Sequence, residues 1–176
     1  MDKHERYEQL GADIRRLRHH SFPYETSSRQ YDLQPRYLVY AGLTFVPVTR
    51  NYLEVWGSSW INEIPFMLRY LFSDSTVLND DPDRQEYVVL SQVLPDEVNA
   101  YAADYVDRVV KTVNDVKINR LEDLPAALEN GGGQRFVIRF MDTDQPLVLD
   151  AGTAAQRHAA ILEKYNVPSE SNLEEL

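Results

Sequence analysis

Between Asp107 and Asp150 the hydrophobic period changes from strand to helix and back to strand, and that succession leaves few folds open. Asp107-Arg108-Val109-Val110-Lys111-Thr112-Val113 is rich in β-branched residues and is predicted to be a strand. Asn114-Asp115 is a turn pair, and Val116-Lys117-Ile118 is the returning strand. Leu121, Leu124, Ala127 and Leu128 then fall on one helical face, which predicts a helix over Leu121–Glu129. Gly131-Gly132-Gly133 ends it, as glycine does at helix C-termini. Two more strands follow, Arg135–Met141 and Pro146–Asp150, joined by an Asp142-Thr143-Asp144 turn. Strands joined by hairpins rather than by regular βαβ alternation predict an α+β domain with an antiparallel or barrel-like sheet.

The remaining segments fit around that unit. Residues 3–18 have helical spacing at Tyr7, Leu10, Ile14 and Leu17, interrupted by Gly11. Residues 19–36 form an irregular stretch. Arg36–Tyr40 and Thr44–Thr49 are strand-like pieces around an Ala41-Gly42-Leu43 turn. Pro47 lacks an N–H, so its strand is expected to be an edge or to bulge there. From Tyr52 to Phe72 large apolar groups are dense. One or two helices are expected, broken near Gly57-Ser58-Ser59 and restarted by Pro65. An acidic loop over residues 73–85, a strand over Glu86–Leu94 and a last helix over Thr153–Tyr165, stopped by Pro168, complete the outline.

Composition narrows the function. Twenty-eight acids against 18 basic residues give a net charge of −10, which disfavours nucleic acid and anionic membrane surfaces as partners. No cysteine is present, so disulfides, thiolate metal sites and a cysteine nucleophile are excluded. No apolar run approaches the length of a membrane helix, and Met1–Arg6 is too polar for a signal peptide, so a soluble chain is expected and its compartment is left open. His4, His19, His20 and His158 have no nucleophile-bearing motif beside them, and each is read as a surface or packing residue. Asp80, Asp81 and Asp83 lack the glycine and distal glutamate of a calcium loop, and the glycine triplet is followed by no Lys-Ser or Lys-Thr. No catalytic residue, metal site or cofactor is therefore expected.

Val109–Ile118, with its Val-Asn-Asp turn, resembles the PDZ pattern of a strand ending in Val-Asn-Gly and followed by a short apolar strand. Asp115 stands where the pattern has glycine, a mild departure because aspartate tolerates a left-handed turn. The helix with Leu121, Leu124 and Leu128 corresponds to the one that walls the PDZ peptide groove, and Gln134–Phe140 to the closing strand. The order of Tyr37–Thr49, a helical insertion, Val88–Leu94 and the closing Tyr165-Asn166-Val167-Pro168-Ser169 is similar to the last PDZ-like domain of Deg/HtrA-type serine proteases. The resemblance covers residues 36–176. Residues 1–35 are expected to be a linker or the remnant of a preceding domain.

This resemblance implies a PDZ-like, partly open antiparallel β-barrel or sheet flanked by helices, with a helical insertion and an N-terminal extension. It implies a module without catalysis of its own, serving protomer assembly or regulation in a protease and binding protein or peptide C-termini. A free-standing peptide-binding adaptor is the alternative. Tyr40, Ala41, Gly42 and Leu43 would form the carboxylate loop, Thr44, Phe45 and Val46 the receiving strand, and Leu124, Ala127 and Leu128 the apolar pocket. Periodicity alone does not separate such a groove from a filled core. Tyr52–Phe72 is the candidate surface for a homo-oligomer, or else a cover over its own sheet. The tail, ending at Leu176, either docks into a groove or stays a solvated acidic segment.

Overall fold

The computed structural model describes residues 34–73, 81, 83–129 and 133–173. The N-terminal helix over 3–18, the glycines at 131 and 132 and the end of the tail lie outside the described residues. Two four-stranded antiparallel sheets carry the fold, and neither closes into a barrel. The first has the order β3-β2-β1-β8, from Val88–Val93, Leu43–Pro47, Tyr37–Tyr40 and Ser171–Asn172. The second has the order β5-β4-β6-β7, from Val116–Lys117, Val110–Val113, Arg135–Phe140 and Leu147–Asp150. They meet where β3 runs beside the entry to β4. Val89 bridges to Val109, Leu90 N–H donates to Arg108 O, and Asp107 N–H donates to Leu90 O.

The predicted hairpin at Asn114-Asp115 forms, with both residues at positive φ (49° and 63°), the geometry that two-residue hairpins demand. Asn114 also explains why asparagine suits this turn. Its Nδ2 donates to Ala127 O at 3.0 Å and its Oδ1 accepts from Val137 N–H at 3.0 Å. One side chain thus fastens the hairpin to helix α4 (Asp123–Glu129) and to β6. Strand β6 alternates as the sequence suggests: Phe136, Ile138 and Phe140 are buried, Arg135 and Arg139 exposed. The last helix, α5 (Ala151–Lys164), starts two residues before the predicted Thr153. Asp150 caps it by accepting from Thr153 N–H at 2.7 Å.

Two apolar clusters fill the interior. The larger joins Leu38, Leu43, Phe45 and Leu90 of the first sheet to Val110, Ile138, Phe140 and Leu149 of the second, with Leu121, Leu124 and Ala127 beneath α4. The smaller lies under the insertion, which divides into α1 (Arg50–Leu53), a 3-10 turn at Glu54–Trp56, α2 (Trp60–Glu63) and α3 (Phe66–Ser73). Leu53, Ile64, Leu68 and Leu71 bury one face of these short helices against Val48, Tyr87, Val89 and Val109. Tyr52 Oη donates to Asp107 Oδ1 at 2.6 Å, so the insertion is fastened to the junction of the sheets. Burial, with the Asp107 carboxylate beside it, pushes the Tyr52 phenol well above its ordinary range.

Pro47 does not mark an edge strand. Strand β2 lies between β1 and β3, and Pro47 is its last residue, beyond the final pair with β1, Leu38↔Phe45. The register shift against β3 falls between Thr44 and Phe45, not at the proline. A proline at a strand end costs no interior ladder bond, which the sequence pattern could not show.

Candidate functional site

Tyr40 and Leu43 close the β1–β2 hairpin as a pair, so the loop itself is only Ala41 and Gly42. Both have positive φ, 48° and 82°. Both polar groups of Ala41 and the carbonyl of Gly42 are bonded within the protein. Ala41 N–H donates to His158 Nδ1 at 3.2 Å, Ala41 O accepts from Asn99 Nδ2 at 2.8 Å, and Gly42 O accepts from Leu94 N–H at 2.7 Å. Asn99 is buried, and it also donates to Leu94 O at 2.9 Å and accepts from Asp96 N–H at 2.8 Å. The loop is therefore preorganised by one asparagine and one histidine from elements distant in sequence.

The structure brings most of the expected groove residues into one cluster, as a filled interior. Ala41, Leu43, Phe45, Leu124 and Ala127 are each 0% exposed, and Tyr40 and Leu128 pack half-buried at the border. Thr44 and Val46 are half-buried on the other face of β2. That strand, expected to receive a peptide, is paired on both sides over Leu43–Phe45. Strand β1 fills one side through Leu38↔Phe45, Val39↔Thr44 and Tyr40↔Leu43, and β3 fills the other from Leu43↔Val93 to Pro47↔Val88. The peptide-like position beside β2 is occupied by the strand that precedes the loop.

Strand β1 has its own outer edge, and the tail covers it. Tyr37 pairs with Asn172 and Leu38 with Ser171, and Val39 N–H donates to Glu170 O at 2.7 Å. His158 joins loop to tail. Its Nδ1 accepts from Ala41 while its Nε2 lies 2.9 Å from Glu170 Oε2, which fixes the proton on Nε2 in this arrangement. Its ring lies 5.3 Å from that of Tyr40, whose phenol burial pushes upward. Sequence reading took His158 for a packing residue in a helix. Its partners come from residues 117 and 12 positions away, and no local pattern signals them. Asn99 was missed for the same reason.

Two arginines, Arg36 and Arg157, brace this region through ion pairs. Arg36 spans Glu86 and Glu122, tying the start of β1 to the start of α4. Burial opposes the Arg36 charge, but bonding to the two carboxylates outweighs it and raises the guanidinium above its ordinary range. Asp96 takes both Arg157 Nε (3.0 Å) and Nη2 (2.6 Å), joining the Asn99 loop to the helix that carries His158. Arg157 holds the Asp96 carboxyl down to about 2. A depressed folded-state value contributes stability that is complete above the ordinary 3.8 and is lost as pH falls toward 2. Arg157→Gln is expected to flatten the acid limb of a thermal-midpoint profile in that window. An unchanged limb would assign acid sensitivity to other groups. Among the described residues no group of three or more His, Asp or Glu is placed to hold a metal, and no helix is long and apolar enough to cross a membrane.

An antiparallel sheet entered by a two-residue loop, beside a hairpin–helix–strand unit locked by Asn114, is the layout of a PDZ-type domain. The family profile described as PDZ domain matches residues 26–173, so the chain belongs to the PDZ family. The match begins upstream of the boundary expected at residue 36. Curated relatives are Do-like proteins of the Deg/HtrA type from Arabidopsis thaliana. The mitochondrial Do-like 12 is 27% identical over 80% of this chain and 24% of its own length. The mitochondrial Do-like 3 is 28% identical over 85% of this chain and 24% of its own length. "Protease Do-like 4, mitochondrial" is 26% identical over 80% of this chain and 23% of its own length. The chain thus spans about a quarter of the length of the curated relatives it matches.

Proposed function

We propose that this PDZ domain works as a non-catalytic joining and regulatory module of a Deg/HtrA-type serine protease, bringing protomers together through the outer face of its helical insertion. The observation that carries the reading is the asymmetry of that insertion. Its inner face is buried in the smaller core, yet Phe66 is 75% and Val55 80% exposed. Phe66 stacks on the exposed Tyr70 with ring centroids 6.4 Å apart. Large apolar side chains placed outward together mark an interaction surface more often than a free one. The filled edges of β2 argue in the same direction, away from simple capture of peptide C-termini along that strand. The adaptor reading needs an edge that a peptide can reach, and β2 is paired on both sides over Leu43–Phe45.

Phe66→Glu combined with Val55→Glu tests this. The parent chain is expected to self-associate at tens of micromolar in sedimentation velocity, and the double variant to sediment as a monomer with an unchanged melting curve. A monomeric parent under those conditions overturns the reading.

A further inference from the structure

We propose that the outer edge of β1, from Tyr37 to Val39, is a strand-addition site for an extended internal peptide segment. The segment carries a carboxylate followed three residues later by an apolar side chain, and Glu170–Leu173 is its resident intramolecular occupant. This rests on the PDZ-type fold and not on the insertion joining protomers.

The tail is held as a ligand is held. Its strand, β8, is two residues long and, among the described residues, pairs only with β1. Other contacts reach in from its ends. Tyr37 Oη donates to Ser169 O at 3.1 Å, Asn172 Nδ2 donates to Pro35 O at 2.9 Å, and Leu173 packs half-buried against the main core. Main-chain pairing supplies an affinity that is indifferent to sequence, and the two anchoring side chains supply selectivity. The first anchor is Glu170, whose carboxylate meets Nε2 of His158. The second is Leu173, on the border of the larger apolar cluster. Between them Ser171 and Asn172 are half-buried and polar.

The same geometry defines the ligand class. Leu173 is followed by further residues in the sequence, so Glu170–Leu173 is an internal segment. The loop amide of Ala41 is already given to His158, which leaves His158 Nε2 as the group that reads the acid. Glu170 is mostly exposed, so this contact selects more than it stabilises.

A tethered occupant weakens every competitor. A short tether presents its segment at roughly millimolar effective concentration. A free peptide of tens-of-micromolar intrinsic affinity is then weakened by about tenfold or more while the tail is seated.

The test is fluorescence anisotropy of a labelled peptide with the sequence of residues 167–173 against three proteins. These are the full chain, a chain lacking residues 169–176, and the full chain carrying Glu170→Arg with Leu173→Asp. Both variants are expected to bind saturably and at least about tenfold more tightly than the parent. A peptide bearing the same two changes is expected not to bind. His158→Ala in the truncated chain should erase the preference for glutamate over glutamine at the 170 position while leaving the leucine preference. Folded variants that bind no peptide, or bind it as the parent does, overturn the proposal. So does failure of both variants to fold, because the tail is then part of the fold. An unchanged glutamate preference in His158→Ala overturns the assigned reading of the acid. Sedimentation of the same proteins reports the joining role separately, so either idea can fail while the other stands.

Discussion

Gly42→Ala is expected to remove about 3–5 kcal/mol of stability, combining left-handed backbone strain with overpacking against fixed atoms. The residue sits at φ +82°, where a side chain is strained whatever the space around it. A Cβ there would lie 2.4 Å from Asn99 Nδ2 and 2.5 Å from Leu94 O. Neither atom can yield cheaply. Leu94 O is backbone, and Asn99 is a buried side chain already holding Ala41 O, Leu94 O and Asp96 N–H. Displacing Asn99 would leave buried polar groups unpaired, each costing about 1–3 kcal/mol. Gly57 provides the control. It has a comparable φ of +89° but nothing within 4 Å of a built Cβ. Gly57→Ala should show the backbone part alone, about 1–3 kcal/mol. Urea unfolding of both variants checks the pair. Equal losses would mean that the loop relaxes and that Asn99 is not the clamp described.

The parts of this fold that were legible in the sequence are those set by neighbours along the chain. The β4–β5 hairpin, α4 and the alternation of β6 follow from β-branched runs, a turn pair and helical spacing within about thirty residues. The breaks in the insertion at Gly57 and before α3 were legible because glycine and proline act locally. What covers each strand edge was not legible. Ser171 and Asn172 are polar and carry no strand pattern, and they form β8 only because β1 presents an unpaired edge to them. Pro47 misled for a related reason. Its missing donor was taken as a property of the whole strand, whereas only its own ladder position is affected. The candidate site follows the same division. Tyr40–Leu43 was recognisable as a special turn, but Asn99 and His158, which bond to it, and Glu170, which bonds to His158, come from three other segments.

The second large effect is expected at Glu86. Glu86→Ala should cost about 3–5 kcal/mol, the range for breaking a buried ion pair from one side. The Glu86 side chain is 7% exposed, and its two oxygens accept from Arg36 Nη1 and Nη2 at 3.0 Å each. One of them also takes the Leu121 N–H at 2.6 Å, at the entry to α4. Removing the carboxylate takes the bidentate partner away from a guanidinium that is only 10% exposed and orphans the buried Leu121 amide. Glu122 is 29% exposed, so Glu122→Ala should cost about 1 kcal/mol or less. The double replacement Arg36→Met with Glu86→Leu should recover most of the single-variant loss, because it removes both charges rather than stranding one. Chemical denaturation of the four proteins checks this, and a double variant no better than Glu86→Ala would sink the argument. The clamp also bears on the tail. Strand β1 is fixed by three things: its hairpin to β2, the Arg36–Glu86 clamp and β8. The first two are buried and their loss threatens the fold, whereas β8 contributes one short, half-buried ladder. A strand held firmly on one side and lightly on the other keeps its shape when the light partner leaves. That is the mechanical condition for an edge that can exchange its own tail for another peptide.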